Sequence, residues 1–269
     1  MNKTFVIAEA GSCHGGDLNK ALKLIEVAKR CGADACKFQW VSSAHRLAER
    51  RKAFEYEDQY KYIEFPIQWH QILFDKCREQ GIEYMCTVYL PGDFEVIDKY
   101  VQRFKISSFE AKDFWFMSLL WPIAGAGAGR ERRQVIVSTG MFSEADLIRQ
   151  GDIWYDYLYC ISSYPTPLGE LNLANLLSGG YRGLSDHTTA TDVGALAVAA
   201  GAEIIEKHFR LFETNQSNAD YAVALDPNEF LWYVDGIRRT EMILGEPGRK
   251  RLECEDAMRK YRRVTGENA

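Results

Sequence analysis

The chain has 269 residues, 46% of them hydrophobic, and a formal net charge of −5. That is enough apolar material for one large domain, and mild acidity without a long basic run argues against a nucleic-acid or membrane partner. No apolar run reaches spanning length, and the opening Phe5-Val6-Ile7-Ala8 reads as a strand followed at once by Glu9, not as a leader peptide.

From the N-terminus onward, short apolar runs alternate with amphipathic stretches. Strands are expected at 4–10, 34–39, 82–88, 102–107, 134–139, 156–162, 181–186 and 203–208. Helices are expected at 18–31, 67–80, 92–100, 113–121, 143–150, 170–178, 189–200 and 227–243. Eight strands alternating with eight helices is the pattern of an α/β chain folded as a (β/α)8 TIM barrel, which needs about 250 residues. The strands are nearly continuous apolar runs, as parallel strands covered on both faces should be. Gly32, Gly81 and Gly201 each stand where a helix would stop.

The barrel is expected over residues 1–245, and 246–269, charged and poor in apolar residues, is expected as a surface helix or frayed tail. Residues 40–66 break the rhythm after the second strand. They form a long, charged and aromatic insertion, and loops of that length are usually lids or binding loops. Its Trp40, Phe54, Tyr56, Tyr60 and Tyr62 would either close over the rim or pack the loop onto the barrel or a second subunit. The Gly-Ala repeat at 124–129 follows a helix and precedes a strand, the wrong end of a barrel for catalysis, and reads as a flexible connector. Arg130-Arg132-Arg133 and Arg249-Lys250-Arg251 read as solvated surface. Seven cysteines, an odd number with no C-x-x-C, are the usage of a reducing, cytoplasmic setting.

Polar residues gather where the strands end, on the rim where barrel enzymes place their chemistry. Strand by strand they are Glu9, then Lys37 and Gln39, then Thr87. Lys105, Ser107, Ser108 and Glu110 follow, then Ser138 and Thr139, then Ser162, Ser163 and Tyr164. The last two strands bring Ser185-Asp186-His187 and Glu206-Lys207-His208. Lysines among hydroxyls suit an anion with many oxygens, a phosphate or a carboxylate. Two histidines with carboxylates nearby suit a divalent metal: Mn²⁺, Zn²⁺ or Fe²⁺. These residues point to metal-assisted chemistry on a phosphorylated or carboxylated small molecule without naming the reaction.

Longer motifs narrow this. Ile7-Ala8-Glu9-Ala10-Gly11, Gly32-Ala33-Asp34-Ala35-Cys36-Lys37-Phe38-Gln39, Phe104-Lys105-Ile106-Ser107-Ser108 and Val137-Ser138-Thr139-Gly140-Met141 stand in order along the chain. Ser163-Tyr164-Pro165-Thr166-Pro167, Ser185-Asp186-His187-Thr188 and Ile205-Glu206-Lys207-His208-Phe209 continue the series. With these motifs the chain resembles the sialic acid synthase (N-acetylneuraminate synthase) family over about residues 3–245. The resemblance implies condensation of phosphoenolpyruvate with a sugar aldehyde, release of phosphate, a divalent metal, commonly Mn²⁺, and a homodimer. It implies that His187 and His208 bind the metal, and that Lys37, Thr87, Lys105, Ser108, Ser138 and Ser185 hold phosphoenolpyruvate. Ser162 stands where family members often carry Asn. Glu9 would be an acid, base or metal-linked carboxylate near the aldehyde, and Gln39, Glu110, Tyr164 and Asp220 would face the acceptor.

The departures fall on the acceptor side. The family's Asn-His-Asn-Gly is here Cys13-His14-Gly15-Gly16, and Tyr221 stands where a His usually follows the Asp. Full-length members continue into a small antifreeze-protein-like domain, and with the sequence ending at Ala269 no such domain is expected. The phosphoenolpyruvate half of the site is thus expected to be intact and the acceptor half rewritten. Competing readings are a related 3-deoxy sugar acid synthase, which would need a second basic cluster for a phosphorylated acceptor, a metal-dependent isomerase barrel, and a lapsed barrel serving as a binding subunit. Retention of both lysines, both histidines and Glu9 argues against the last, since buried charges cost stability when unpaired.

Overall fold

The computed structural model describes residues 3–124, 133–143, 146, 155–245, 248 and 251–262. The expected barrel is there. Strands β1 (Phe5–Gly11), β2 (Ala35–Trp40), β3 (Glu83–Val88), β4 (Arg103–Ile106), β5 (Gln134–Ser138), β6 (Tyr155–Cys160), β7 (Gly183–Asp186) and β8 (Ile204–His208) form one parallel sheet. Its order is β3-β2-β1-β8-β7-β6-β5-β4, and the two end strands pack side by side, bringing the sheet to near closure. Each strand lies within two residues of its expected span.

The inner face of the barrel follows from the period of two along a strand. Ile7, Ala35, Met85, Ile136, Leu158 and Ile204 point inward and form a buried apolar floor. Below it Arg103 donates to Glu83 at 2.9 Å and also to Gln134, which donates in turn to Asp156, so the bottom is sealed by a polar ring. Gly183 takes β7's place in the floor layer. A Cβ there would sit 1.8 Å from the Ile204 carbonyl oxygen, so β7 and β8 approach this closely only because the side chain is absent.

The outer faces of the strands pack on helices in one continuous apolar core. The helix Leu18–Arg30 is capped by Asp17, whose side chain accepts from the Asn19 and Lys20 amides. The helix Pro227–Leu244 starts with a capping box of Asp226 and Glu229. Several expected helices are short: Asp93–Ile97, Phe114–Ser118 and Ala174–Leu177. Lys207 and Asp186 lie on this outer side. Their ions are 3.3 Å apart, fully buried, and Tyr233 donates its hydroxyl hydrogen to Asp186 at 2.9 Å. Of the tail, Glu253–Glu255 and Asp256–Arg259 are exposed helical turns.

The 40–66 segment is not an unstructured loop. Ser43 caps a helix at Ala44–Arg51 by accepting from the Arg46 amide, and a second turn of helix follows at Glu57–Tyr60. Leu47 and Ile63 pack with Val41, Tyr89 and Leu90 in a small core of their own, with Tyr60 against it. Trp40 is a buried strand residue whose indole donates to the Phe65 carbonyl at 2.9 Å. Phe54 and Tyr56 stay exposed. The amphipathic run is only two turns long, which hides it among the charges of the sequence.

Arg133 is not solvated surface. It bonds the Asp98 carboxylate at 2.8 Å and the carbonyls of Asp98 and Val101, tying the start of β5 to the turn before β4. Arg251 is exposed as expected. The expected helix at 143–150, apart from Ser143 and Asp146, and the connector at 124–129, apart from Ala124, lie outside the described residues.

Two fully buried histidines join the segment's end to the barrel. His14 lies edge-on to Phe65 and Trp69, and its Nδ1 accepts from the Gly16 amide at 3.1 Å. His70 stands edge-on to Trp40 with ring centroids 4.4 Å apart and pairs with the Tyr84 hydroxyl at 2.8 Å. Burial pushes both imidazoles down to about 4 from 6.5. Both are neutral in the folded chain at pH 7 and take up a proton on unfolding below 6.5. Their stabilisation is complete above that value and drains away as the pH falls toward 4. Urea unfolding should therefore show a loss of about 2 kcal/mol per histidine between pH 7 and pH 5, with a smaller loss in His70→Phe. Equal stability at the two pH values would contradict it.

Candidate active site

Two residues above the apolar floor, the inner face turns polar on every strand but β6, where Cys160 stands. Ile7 is followed by Glu9, Ala35 by Lys37, Met85 by Thr87, Arg103 by Lys105, Ile136 by Ser138, Leu158 by Cys160, Gly183 by Ser185 and Ile204 by Glu206. One step higher come Gln39, Tyr89, Ser107, Ser162, His187 and His208. The two layers line a pocket of about 50 Å³ at the C-terminal mouth, from which only Cys160 and Ser162 are missing.

Four charges fill the lower layer. Lys37 Nζ lies 2.6 Å from Glu9 Oε2 and 3.2 Å from Glu206 Oε1, while Lys105 Nζ lies 3.3 Å from Glu206 Oε2. Hydroxyls complete the set. Lys37 donates to Thr87 at 3.0 Å, Lys105 to Ser138 at 2.6 Å, and Ser185 donates to Glu206 at 2.7 Å. All four ions are nearly inaccessible to water, so each depends on its partners. The pairing is uneven, and the pKa values follow it. Burial opposes the charge of Lys37, but Glu9 and Glu206 outweigh it and hold its pKa above the ordinary lysine value. Lys105 has one carboxylate, and burial pulls it below the ordinary value. Burial opposes the Glu206 charge too, but Lys105 and Lys37 hold its carboxyl well below the usual range. Burial pushes Glu9 up to about 7, with Lys37 pulling it down and Glu206 pushing it further up. Glu9 also accepts from Gln39 at 2.9 Å. Two carboxylates on one site thus hold opposite proton affinities, the arrangement from which acid–base roles are made.

The two histidines face each other in the upper layer with ring centroids 5.6 Å apart. His187 Nδ1 donates to the Ile161 carbonyl at 2.8 Å, since a carbonyl only accepts, and this leaves the lone pair of the neutral ring on Nε2. Tyr164 covers the ring, 4.3 Å away. Burial keeps both imidazoles in the neutral, ligating form, with His187 pushed down to about 4. His208 Nδ1 is buried with no hydrogen-bond partner, 3.8 Å from Asp220 Oδ1. Asp220 is itself fixed by the Ser12 amide and hydroxyl at 2.8 and 2.6 Å. A Cβ on Gly11, whose φ is +51°, would meet that carboxylate at 2.4 Å, so the glycine makes room for it. Two neutral imidazoles, one with its outer nitrogen already bonded, fit a divalent cation. Among the described residues no group of three or more His, Cys, Asp and Glu converges on one cation position, so waters or substrate oxygens would complete the set.

Of the expected site residues, Glu9, Lys37, Gln39, Thr87, Lys105, Ser108, Ser138, Tyr164, Ser185, His187 and His208 share the pocket. Three stand apart from it. Ser162 backs Ser108, hydroxyl to hydroxyl at 2.8 Å. Asp220 lies behind His208. Glu110 is turned to Arg51, 2.6 Å from its guanidinium, and accepts from Ser107. Glu206 and Ser107, named at the strand ends without a role of their own, also line the pocket, and Tyr89 does so unpredicted. Glu206 follows from its place on β8, two residues after the floor residue Ile204. Tyr89 lies one residue past the end of β3, and nothing in the sequence marks it.

A model described as the NeuB family matches residues 24–249. The pseudaminic acid synthase of Campylobacter jejuni is 32% identical over 91% of this chain and 76% of its own length. The human N-acetylneuraminate-9-phosphate synthase is 28% identical over 94% of this chain and 74% of its own. The crystal structure of the N-acetylneuraminic acid synthetase of Leptospira borgpetersenii, in complex with citrate, superposes with a TM-score of 0.82 at 27% identity, covering 97% of this chain and 91% of that one.

Glu206 is the shared counter-ion of both buried lysines. Glu206→Ala should therefore cost about 3–5 kcal/mol at pH 7, the penalty of leaving a buried ion without its partner. Glu206→Gln, which keeps the shape and a bond to Ser185, should cost less. Chemical denaturation checks this, and an alanine variant as stable as the parent would show that the lysines do not rely on it.

Proposed function

The chain belongs to the NeuB family, and on that premise we propose that it is a phosphoenolpyruvate-dependent synthase. It joins C3 of phosphoenolpyruvate to the carbonyl carbon of a sugar-like aldehyde and releases phosphate, giving a sialic-acid-like 2-keto-3-deoxy acid. The relatives are synthases of sugars of that kind, which supports the reading. The observation that carries it is the pair of buried lysines, Lys37 and Lys105, meeting over one carboxylate with three hydroxyls in contact.

Phosphoenolpyruvate brings a carboxylate and a phosphate. Lys37 and Lys105 would each exchange a contact to glutamate for a charge-assisted contact to substrate, and the hydroxyls of Thr87, Ser108, Ser138 and Ser185 would donate to the remaining oxygens. C3 forms the new bond to the aldehyde carbon, whose oxygen takes a proton. Water adds at C2, and the tetrahedral centre collapses with loss of phosphate, the lysines offsetting the charge that develops. Glu9 is placed for these proton movements, because its carboxyl exchanges a proton near pH 7 and Gln39 fixes its orientation. Gln39 and Tyr164 face the acceptor from the upper layer. Asp220 would orient His208, and Glu110 would act through Ser107 and Arg51.

His187 and His208 would hold a divalent cation, with Mn²⁺ suiting two imidazoles completed by oxygens. When bound, such an ion supplies Lewis-acid polarisation of the aldehyde carbonyl. A homodimer in the cytoplasm belongs to the same reading, the setting supported by seven free cysteines. Among the described residues no helix is long and apolar enough to cross a membrane.

Lys37→Ala or Lys105→Ala should weaken phosphoenolpyruvate binding by about 10- to 150-fold, the loss of one charge-assisted contact worth roughly 1.5–3 kcal/mol. Titration calorimetry with unchanged affinity in both variants would refute the assignment. His187→Ala should lose most of the bound divalent metal, measured by elemental analysis after Mn²⁺ loading, while keeping its circular dichroism. Full metal content in that variant would remove His187 from the ligand set.

A further inference from the structure

The barrel holds its two pocket histidines in different ways. His208 is a sheet residue: it pairs with Glu9 of β1, and the next amide, that of Phe209, donates to the Glu9 carbonyl at 3.0 Å. His187 stands past the sheet. Both ladders of β7 end before it, at Cys160↔Ser185 on one side and Asp186↔Lys207 on the other.

The chain around His187 is tied down from the outer face instead. Lys207 Nζ lies 3.3 Å from Asp186 Oδ2 and also donates to the Thr188 carbonyl. One ammonium, on the strand that carries His208, thus grips the residue before His187 and the residue after it. Asp186 Oδ1 closes the same turn by accepting from the Thr188 amide at 2.8 Å. Tyr233 donates to Asp186 Oδ2 at 2.9 Å. Its ring reaches that point across Gly194 of the helix Val193–Ala199, where a Cβ would lie 2.5 Å from the tyrosine Cζ.

These charges stand in an apolar layer. The outward residues nearby, Ala8 and Ala10 on β1, Leu184 on β7 and Ile205 on β8, all belong to the hydrophobic core. A fully buried ion pair gains little stability over apolar residues of similar volume, so stability alone does not account for it. Directional bonds do what apolar contacts cannot, which is to fix a backbone that has left its ladder.

We infer that Lys207, with Asp186 and Tyr233, is a positioning residue for the cation site. It acts through the backbone on both sides of His187 and sets that imidazole opposite the one on His208. The inference rests on the divalent-cation reading above and adds the outer-face residues that give the two histidines their mutual geometry.

The test is Mn²⁺ affinity, read from the free-ion signal in electron paramagnetic resonance, beside calorimetry of phosphoenolpyruvate in the metal-free chain and thermal melting. The double variant Asp186→Asn/Lys207→Met removes both charges and leaves an acceptor for the Thr188 amide. It should weaken Mn²⁺ binding by about 10-fold or more, with phosphoenolpyruvate affinity within twofold of the parent. Tyr233→Phe, which leaves the ion pair in place, should weaken Mn²⁺ binding by about threefold. Arg133→Ala, which unties the opposite end of the barrel, should lower the melting temperature and leave both affinities unmoved. An Mn²⁺ affinity within twofold of the parent in the double variant, or in Tyr233→Phe where the double variant does not fold, would overturn the inference. So would equal losses of Mn²⁺ and phosphoenolpyruvate affinity, or a matching loss of Mn²⁺ in Arg133→Ala. A parent chain that binds no Mn²⁺, or a His187→Ala chain that binds it fully, would instead overturn the cation reading, and this inference with it.

Discussion

Four ions, Glu9, Lys37, Glu206 and Lys105, stand in one closed layer inside the barrel, and the rest of the site is arranged around them. Removing charges from water is costly unless each finds a partner in good geometry. Here two positive and two negative groups balance, and the hydroxyls of Thr87, Ser138 and Ser185 saturate much of what the ion pairs leave. The apolar floor beneath and the aromatic cover of Tyr89 and Tyr164 above keep the layer dry. The same balance makes it responsive to a ligand. An anion with two charged ends would offer both lysines new partners: Lys105 would give up its contact to Glu206, and Lys37 could give up its contact to Glu9, the carboxylate that burial has pushed up to about 7.

The geometry of the barrel explains why these ions meet at all. Along each strand every second residue points inward, so one register shared by eight parallel strands sets apolar, ionic and imidazole layers at successive heights. The outward residues on the same strands serve the packing instead. Lys207 sits between two inner-face site residues yet pairs with Asp186 on the helix side, a structural ion pair inside a catalytic motif.

The 40–66 segment adds a second level. Its own small core of Val41, Leu47, Ile63, Tyr89 and Leu90 includes the tyrosine that lines the inner pocket, so the fold of the segment and the shape of the pocket are coupled through one ring. Arg50 and Arg51, at the last turn of its helix, tie it to the turn after β4 by ion pairs to Asp113 and Glu110. The segment, lid-like by its length and composition, is thus helical and held by packing and charge.

The alternation of apolar runs and amphipathic stretches was enough to reveal the (β/α)8 barrel, because parallel strands covered on both faces must be apolar throughout and the strand period leaves few alternatives. Most of the inner-pocket residues were legible as well, since a barrel collects its strand ends on one rim whatever the details of packing. Glu206 was visible at a strand end but its role was not. That it bridges Lys37 and Lys105, residues 169 and 101 positions away in the chain, is a fact of barrel closure. The family resemblance implies that Glu110 and Asp220 face the acceptor, and the tertiary structure turns one to Arg51 and the other to Ser12 and His208. Spacing along a strand decides which face a residue takes, so the sequence by itself determined the fold and most of the inner pocket's membership, Tyr89 excepted. Which buried charge meets which is set by contacts between distant segments and by the demand that every buried ion be paired, and only the tertiary structure could decide it.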